Sequence, residues 1–334
     1  MTVLSGQRVR PVPCFSGLAA ATVAGLETLG LAFHQIHDDP ERMAQAAETA
    51  HRVLGFESVA VPFDLAVEAG ALGAEVDLHA DVRHPIYPSI QKPLAASPAS
   101  FDITPPARIA EQGRIPVVTE AIRLLKERVG STAAVGAWLP GPYTLALQVV
   151  DMIEMVTGVA KDPEAVGRVL DVLTGVVIEV GHAYHEAGAD FITVHEMGGS
   201  PGFIGPRPFE KVVQPRLKRL LEALPAPRVL SVCGNTNRAM PLLAACGADA
   251  LSVDQTNDLA RSRETLGPDV VLFGNIDPVG TLANGDEAAV RAAVRQAIEA
   301  GVDAVWPGCD LAPAAPAANL RAMVDEALKE QPGF

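Results

Sequence analysis

Val229-Leu230-Ser231-Val232-Cys233-Gly234-Asn235-Thr236 reads as a short β-branched strand that stops at a glycine and leaves a cysteine at its exit. Val305-Trp306-Pro307-Gly308-Cys309-Asp310 repeats that arrangement 76 positions later. In a closed parallel barrel both strand ends open onto one face, so the two thiols can meet there. Paired thiolates at such a face suit a soft metal, most simply zinc. Zinc with an open position can strip the proton from a substrate thiol. The place two residues before Cys233, where a histidine ligand would be convenient, holds Ser231.

On either side of these stretches, β-branched runs alternate with Ala/Leu-rich helical segments, the pattern of βα units around a parallel sheet. The expected strands are 11–15, 57–62, 133–139, 190–195, 228–233, 248–253, 270–275 and 304–307. Eight strands suffice to close an α/β fold of the (β/α)8 TIM-barrel type. Asp39-Pro40-Glu41-Arg42 opens a helix towards Leu54, and further helices fit 163–187, 286–300 and 316–329.

Residues 71–116 break the rhythm. Glu75-Val76-Asp77-Leu78-His79-Ala80 alternates like a strand, and six prolines from Pro85 to Pro106 punctuate the remainder. The segment reads as an insertion over the barrel mouth containing a hairpin, with an ordinary surface excursion as the alternative. No repeat or low-complexity linker divides the chain, so 1–334 is expected to form a single domain.

The 334 residues are 49% apolar, ample for one large core. Lys and Arg number 26 against 40 Asp and Glu, a formal charge of −14. This argues against a nucleic-acid surface and an anionic membrane, and it suits a partner with a basic docking patch. Four cysteines in a chain of this size are no disulfide framework. The first residues lack the apolar core of a signal peptide, and no apolar run reaches transmembrane length. The expected location is the cytoplasm, with reduced thiols.

Active residues of such barrels cluster at the C-terminal ends of strands. There the sequence offers Cys14 and Ser16, Asp64, Tyr143 and Thr144, His195 and Glu196, Ser231, Cys233, Asn235 and Thr236, Asp254 and Gln255, Asn275 and Asp277, and Cys309 and Asp310. Asp254, Asn257 and Asp277 can equally be helix caps. Cys246 lies on a helical run and reads as core packing. Tyr143, Asp254, Gln255 and Asn275 are candidate substrate contacts. For Tyr143 the alternative is packing against the helix that begins at Pro142.

Four stretches occur in order: Gly141-Pro142-Tyr143-Thr144-Leu145-Ala146, Val232-Cys233-Gly234-Asn235-Thr236, Leu272-Phe273-Gly274-Asn275-Ile276-Asp277-Pro278 and Pro307-Gly308-Cys309-Asp310-Leu311-Ala312-Pro313. Together they resemble the uroporphyrinogen decarboxylase superfamily, and within it the methylcobamide:thiol methyltransferases, such as the methylcobamide:coenzyme M enzymes. Arg10-Pro11-Val12-Pro13, Asp38-Asp39-Pro40-Glu41-Arg42-Met43 and Ala60-Val61-Pro62-Phe63-Asp64 match that branch as well, so the resemblance spans nearly the whole chain. The decarboxylase branch holds its substrate's carboxylates with an arginine-containing amino-terminal motif. The matching place here, Pro13-Cys14-Phe15-Ser16-Gly17-Leu18-Ala19, has none, which counts against porphyrinogen decarboxylation.

The resemblance implies zinc on a His-x-Cys pair plus a distant cysteine, with a methyl-corrinoid, carried by a separate corrinoid protein, as methyl donor and a small thiol as acceptor. Cys233 and Cys309 match the two thiol positions, and Ser231 does not match the histidine. Three arrangements therefore compete. Another residue completes the site, with His195, Glu196 and Cys14 at hand; or zinc is held by Cys233, Cys309 and a carboxylate; or metal is absent. Glu196 stands near where relatives carry an acidic residue and is the expected third catalytic group beside the two cysteines. Without zinc, the barrel becomes a corrinoid- or substrate-binding protein, or a methyltransferase to a non-thiol acceptor such as a folate.

Overall fold

The computed structural model describes residues 1–82 and 84–329. Seven parallel strands form the curled sheet of a TIM barrel: β1 (Ser58–Val61), β4 (Ala134–Pro140), β5 (Phe191–Glu196), β6 (Arg228–Val232), β7 (Ala250–Val253), β8 (Val271–Ile276) and β9 (Ala304–Pro307), hydrogen-bonded in that order. A separate antiparallel pair, β2 (Val76–Asp77) and β3 (Ser89–Ile90), lies within residues 71–116.

The eighth expected strand, at 11–15, is not a strand. It is reduced to one bridging residue, Cys14, opposite Val305. Pro11 and Pro13 have no N–H to give to a ladder, so a regular strand cannot form there. Closure is made by Val305 N to Pro13 O (2.9 Å) and Phe15 N to Val305 O (3.2 Å) on one side. On the other side Glu57 N donates to Cys14 O (3.1 Å), and Cys14 N donates to the Glu57 carboxylate (2.8 Å).

The helices fall close to expectation because their starts are capped by carboxylates. Asp39 accepts from Arg42 N ahead of Pro40–Arg52, Asp162 from Ala165 N ahead of Pro163–Glu186, and Asp286 from Ala289 N ahead of Glu287–Glu299. The closing helix is Ala317–Ala327. Helices Ile115–Val129 and Met152–Lys161 lie outside the expected set.

Inside the barrel, Phe15, Phe191, Phe273 and Trp306 pack as one aromatic plug. Phe273 and Trp306 stack at 5.3 Å, and Phe15 meets both of them and Phe191 edge-on. The floor of the barrel is therefore solid, and chemistry is confined to the strand exits above it. Cys246 is fully buried in the main core, as its helical position suggests.

Candidate active site

Strand register brings the decisive residues together. His195 on β5 pairs directly with Ser231 on β6, so both side chains enter the barrel interior. The imidazole then reaches the thiols: His195 Nε2 lies 3.6 Å from Cys233 Sγ, and Cys233 Sγ lies 2.8 Å from Cys309 Sγ. The three ligand atoms all fall within 4.8 Å of one another. On its far edge, His195 Nδ1 is 3.1 Å from Ser231 Oγ. Trp138 meets the imidazole edge-on, with ring centroids 5.9 Å apart.

The sulfur pair is electrostatically unequal. Their mutual contact at 2.8 Å pushes the Cys233 thiol up and brings Cys309 down to about 5, with His195 assisting at Cys309. Burial works against charge on His195, but its hydrogen bond with Cys309 and the charges of Asp310, Cys309 and Glu196 raise it overall. Burial lifts Asp310 to about 6, with His195 lowering it and Cys309 adding to the rise.

This donor set fits zinc. Two thiolate sulfurs and one imidazole nitrogen are its preferred ligands, and three protein ligands leave the fourth tetrahedral position free for substrate. From ordinary bond lengths a tetrahedral S–N edge is about 3.5 Å, close to the His195–Cys233 separation. The S–S edge would be about 3.8 Å, so the two sulfurs, now 2.8 Å apart, would separate on taking up the ion.

The loop carrying Cys233 is pinned by its neighbours. Gly234 takes φ +84°, open chiefly to glycine, and its N–H donates to Asp254 (2.9 Å). Asn257 accepts from Thr236 N (2.7 Å) and donates to Gly234 O (3.0 Å). Asn275 donates to the carbonyls of Asp254 and Asn257 (3.0 and 2.8 Å). Asp254 and Asn275, expected as substrate contacts, are thus committed to holding this loop. Gln255 lies against Gly308: a Cβ there would come 2.6 Å from Gln255 N, so only glycine lets the Cys309 turn approach β7. Of the three residues open to a capping role, Asp277 does cap its helix, through Val279 N and Gly280 N.

Glu196 does not join the cluster. Successive strand residues point to opposite faces, so with His195 inside, Glu196 faces out of the interior. Its buried carboxylate accepts from Thr144 Oγ1 (2.5 Å), Gly199 N (2.9 Å) and Tyr143 N (3.1 Å), tying the helix Pro142–Val149 to β5. A side chain at Gly141 would collide with it. Tyr143 packs rather than reaching the cavity: it is fully buried, and its hydroxyl donates to Met155 O (3.1 Å). Cys14 is excluded as a ligand, because its backbone closes the barrel and its side chain is buried in the core.

A cavity of about 240 Å³ is separated from the cluster only by its neighbours: Trp138, which meets His195, and Asp310, which follows Cys309, stand on its wall beside Phe63, Tyr87 and Met197. Tyr87 comes from within 71–116, and its hydroxyl donates to Leu311 O (3.3 Å), just past Cys309. Asp64 stands behind this wall. Burial alone would raise it, but a two-pronged contact with Arg114 (2.7 and 2.8 Å) and a bond to His37 Nδ1 (2.9 Å) hold it well below the carboxylate range. Neither Trp138 nor Tyr87 stands out in the sequence, since only the folded register shows which side chains face His195.

The family model described as uroporphyrinogen decarboxylase (URO-D) matches residues 1–330. The chain belongs to this family. Within the family its likeness is to methyltransferases. The methylcobamide:CoM methyltransferase MtaA of Methanosarcina barkeri is 30% identical over 325 residues, 97% of this chain and 95% of that protein. A methylated-thiol–coenzyme M methyltransferase of Methanosarcina mazei is 29% identical over 332 residues, 99% of this chain and 88% of that protein. A solved methyltransferase from Methanosarcina mazei superimposes with a TM-score of 0.92 at 30% identity, covering 98% of this chain and 96% of that one. The family fold and the barrel read from the strand pattern therefore agree.

Proposed function

We propose that this protein is a corrinoid-dependent methyltransferase that passes a methyl group from a methyl-corrinoid to a small thiol. The observation that carries the reading is the convergence of His195 Nε2, Cys233 Sγ and Cys309 Sγ at the C-terminal mouth of the barrel. His195, Cys233 and Cys309 would hold zinc, whose Lewis acidity keeps an acceptor sulfur deprotonated at neutral pH. In the transfer the S–CH3 bond forms as the Co–C bond breaks, and the electron pair stays on cobalt. The barrel's own contribution is positioning and exclusion of water, with the aromatic floor beneath and Trp138 and Tyr87 at the sides.

The donor has an open approach from one side. A groove of about 690 Å³ continues from the cavity, sharing Leu65, Pro88, Gln148 and Met197 with it. Phe203, 62% exposed, lines it, and Met152 and Ile153 stand exposed beside it. We assign this apolar rim to the methyl-corrinoid on its carrier protein, because it is continuous with the cavity that Asp310, next to Cys309, lines. No helix among the described residues is long and apolar enough to cross a membrane, and reduced thiols suit the cytoplasm.

Protein purified without chelators should hold close to one zinc per chain and should demethylate methylcobalamin when a small thiol is supplied, followed by absorbance. Zinc below a tenth of an equivalent, unchanged in Cys233→Ala, overturns the metal reading. Corrinoid binding without demethylation by any thiol would favour a binding barrel instead.

A further inference from the structure

The acceptor's sulfur accounts for only one end of the molecule, and the cavity wall speaks to the other. Four polar side chains belong to residues on that wall: Asp64, Tyr87, Gln148 and Asp310. Asp64 is neutralised by Arg114, and its side chain is sealed from the cavity. Tyr87 is spent on Leu311 O. Gln148 is neutral. Among the described residues, the Asp310 carboxylate has no hydrogen-bond donor and no ion-pair partner, and no lysine or arginine lines the cavity. The positive group that acts on it among the described residues is the His195 imidazole, which is engaged by the sulfurs, so this carboxylate favours a cation over an anion in the cavity.

We propose that the acceptor is a small aminothiol whose ammonium group pairs with Asp310 while its sulfur sits at the His195–Cys233–Cys309 cluster. The inference rests on the thiol-methyltransferase reading and names the substrate class of that site. A volume of about 240 Å³ admits a molecule of few carbons. A sulfonate or carboxylate head would instead face Asp310 across the same short span with no cation to meet it.

Three thiols with one two-carbon spacer test this: 2-aminoethanethiol, 2-mercaptoethanol and 2-mercaptoethanesulfonate. The readout is kcat/KM for demethylation of methylcobalamin by the zinc-loaded full chain. The ammonium thiol should exceed the hydroxyl thiol by at least about tenfold, and the sulfonate thiol should be slower still. In Asp310→Asn the ammonium-to-sulfonate ratio should collapse by at least about tenfold. Comparing that ratio between variant and parent cancels the intrinsic reactivities of the thiols, and an unchanged Tm and zinc content exclude misfolding.

A sulfonate preference in the parent protein, or an unchanged ratio in Asp310→Asn, overturns the inference and leaves the methyltransferase reading standing. Failure of all three thiols with zinc bound removes the thiol reading, and this inference with it.

Discussion

Ser231 and His195 face each other across the β5–β6 ladder, with Ser231 Oγ 3.1 Å from His195 Nδ1. A histidine that offers Nε2 to a metal carries its proton on Nδ1 and needs an acceptor there. With zinc held as proposed, Ser231 Oγ would be that acceptor. On the proposed reading, the serine in place of a histidine ligand would orient a different histidine, one strand over, towards the same two sulfurs.

Ser231→Ala should therefore leave zinc bound but weaken it by about 10- to 100-fold, the usual effect of removing a partner behind a ligand. Competition against a chromophoric chelator measures this. His195→Ala should lose more than Ser231→Ala. Equal affinity in parent and Ser231→Ala would remove the serine from the site.

Glu196 predicts the opposite pattern. Glu196→Ala strips the acceptor from Thr144 and two backbone N–H groups, a loss of about 2–4 kcal/mol in unfolding free energy. Urea denaturation should show it, while zinc stoichiometry stays at the parent value. Loss of zinc with unchanged stability would return Glu196 to the catalytic group.

Glu68 makes stability depend on pH. Its carboxyl is fully buried, and burial lifts it to about 8, opposed by its backbone hydrogen bond and by Arg114, with Asp64 adding to the rise. The native state therefore keeps a proton that the unfolded chain releases near pH 4.5. Stability falls as pH climbs from that value to about 8, and the full cost stands above it. Glu68→Gln should be near neutral at pH 4.5 and stabilise by up to about 5 kcal/mol at pH 9. Denaturant titrations at both pH values check the sign.

Phe203→Asp places a charge on the apolar groove and leaves the three metal-ligand side chains in place. The KM for methylcobalamin should rise by about tenfold while the KM for the thiol and the zinc content hold. A change confined to the thiol KM would move the donor away from this rim.

How much of this is legible in the sequence depends on the kind of contact. Cys233 and Cys309 are visible because each ends a β-branched run at a glycine, and their meeting follows from barrel closure. The helix starts at Asp39 and Asp286 are visible because capping is local. The opposite facing of His195 and Glu196 is implicit in strand alternation, but proximity to the thiols along the chain obscures it. The bond between Ser231 and His195 is not visible, since it depends on which residue of β5 stands opposite which residue of β6. Asp254, Asn275 and Tyr143 look like substrate contacts because polar groups at strand exits serve loops and ligands alike. The strand expected at 11–15 fails on Pro11 and Pro13, whose missing donors outweigh its position.

The closing bridge at Cys14 has a mechanical consequence. Seven strands run in one continuous ladder, and the segment that closes it is joined to Glu57 ahead of β1 and to Val305, four residues before Cys309. Cys309 thus follows the strand that carries this joint, whereas Cys233 follows β6 in the middle of the sheet. One of the two thiols is therefore tied through β9 to the amino-terminal segment, and the other is held by the interior of the sheet.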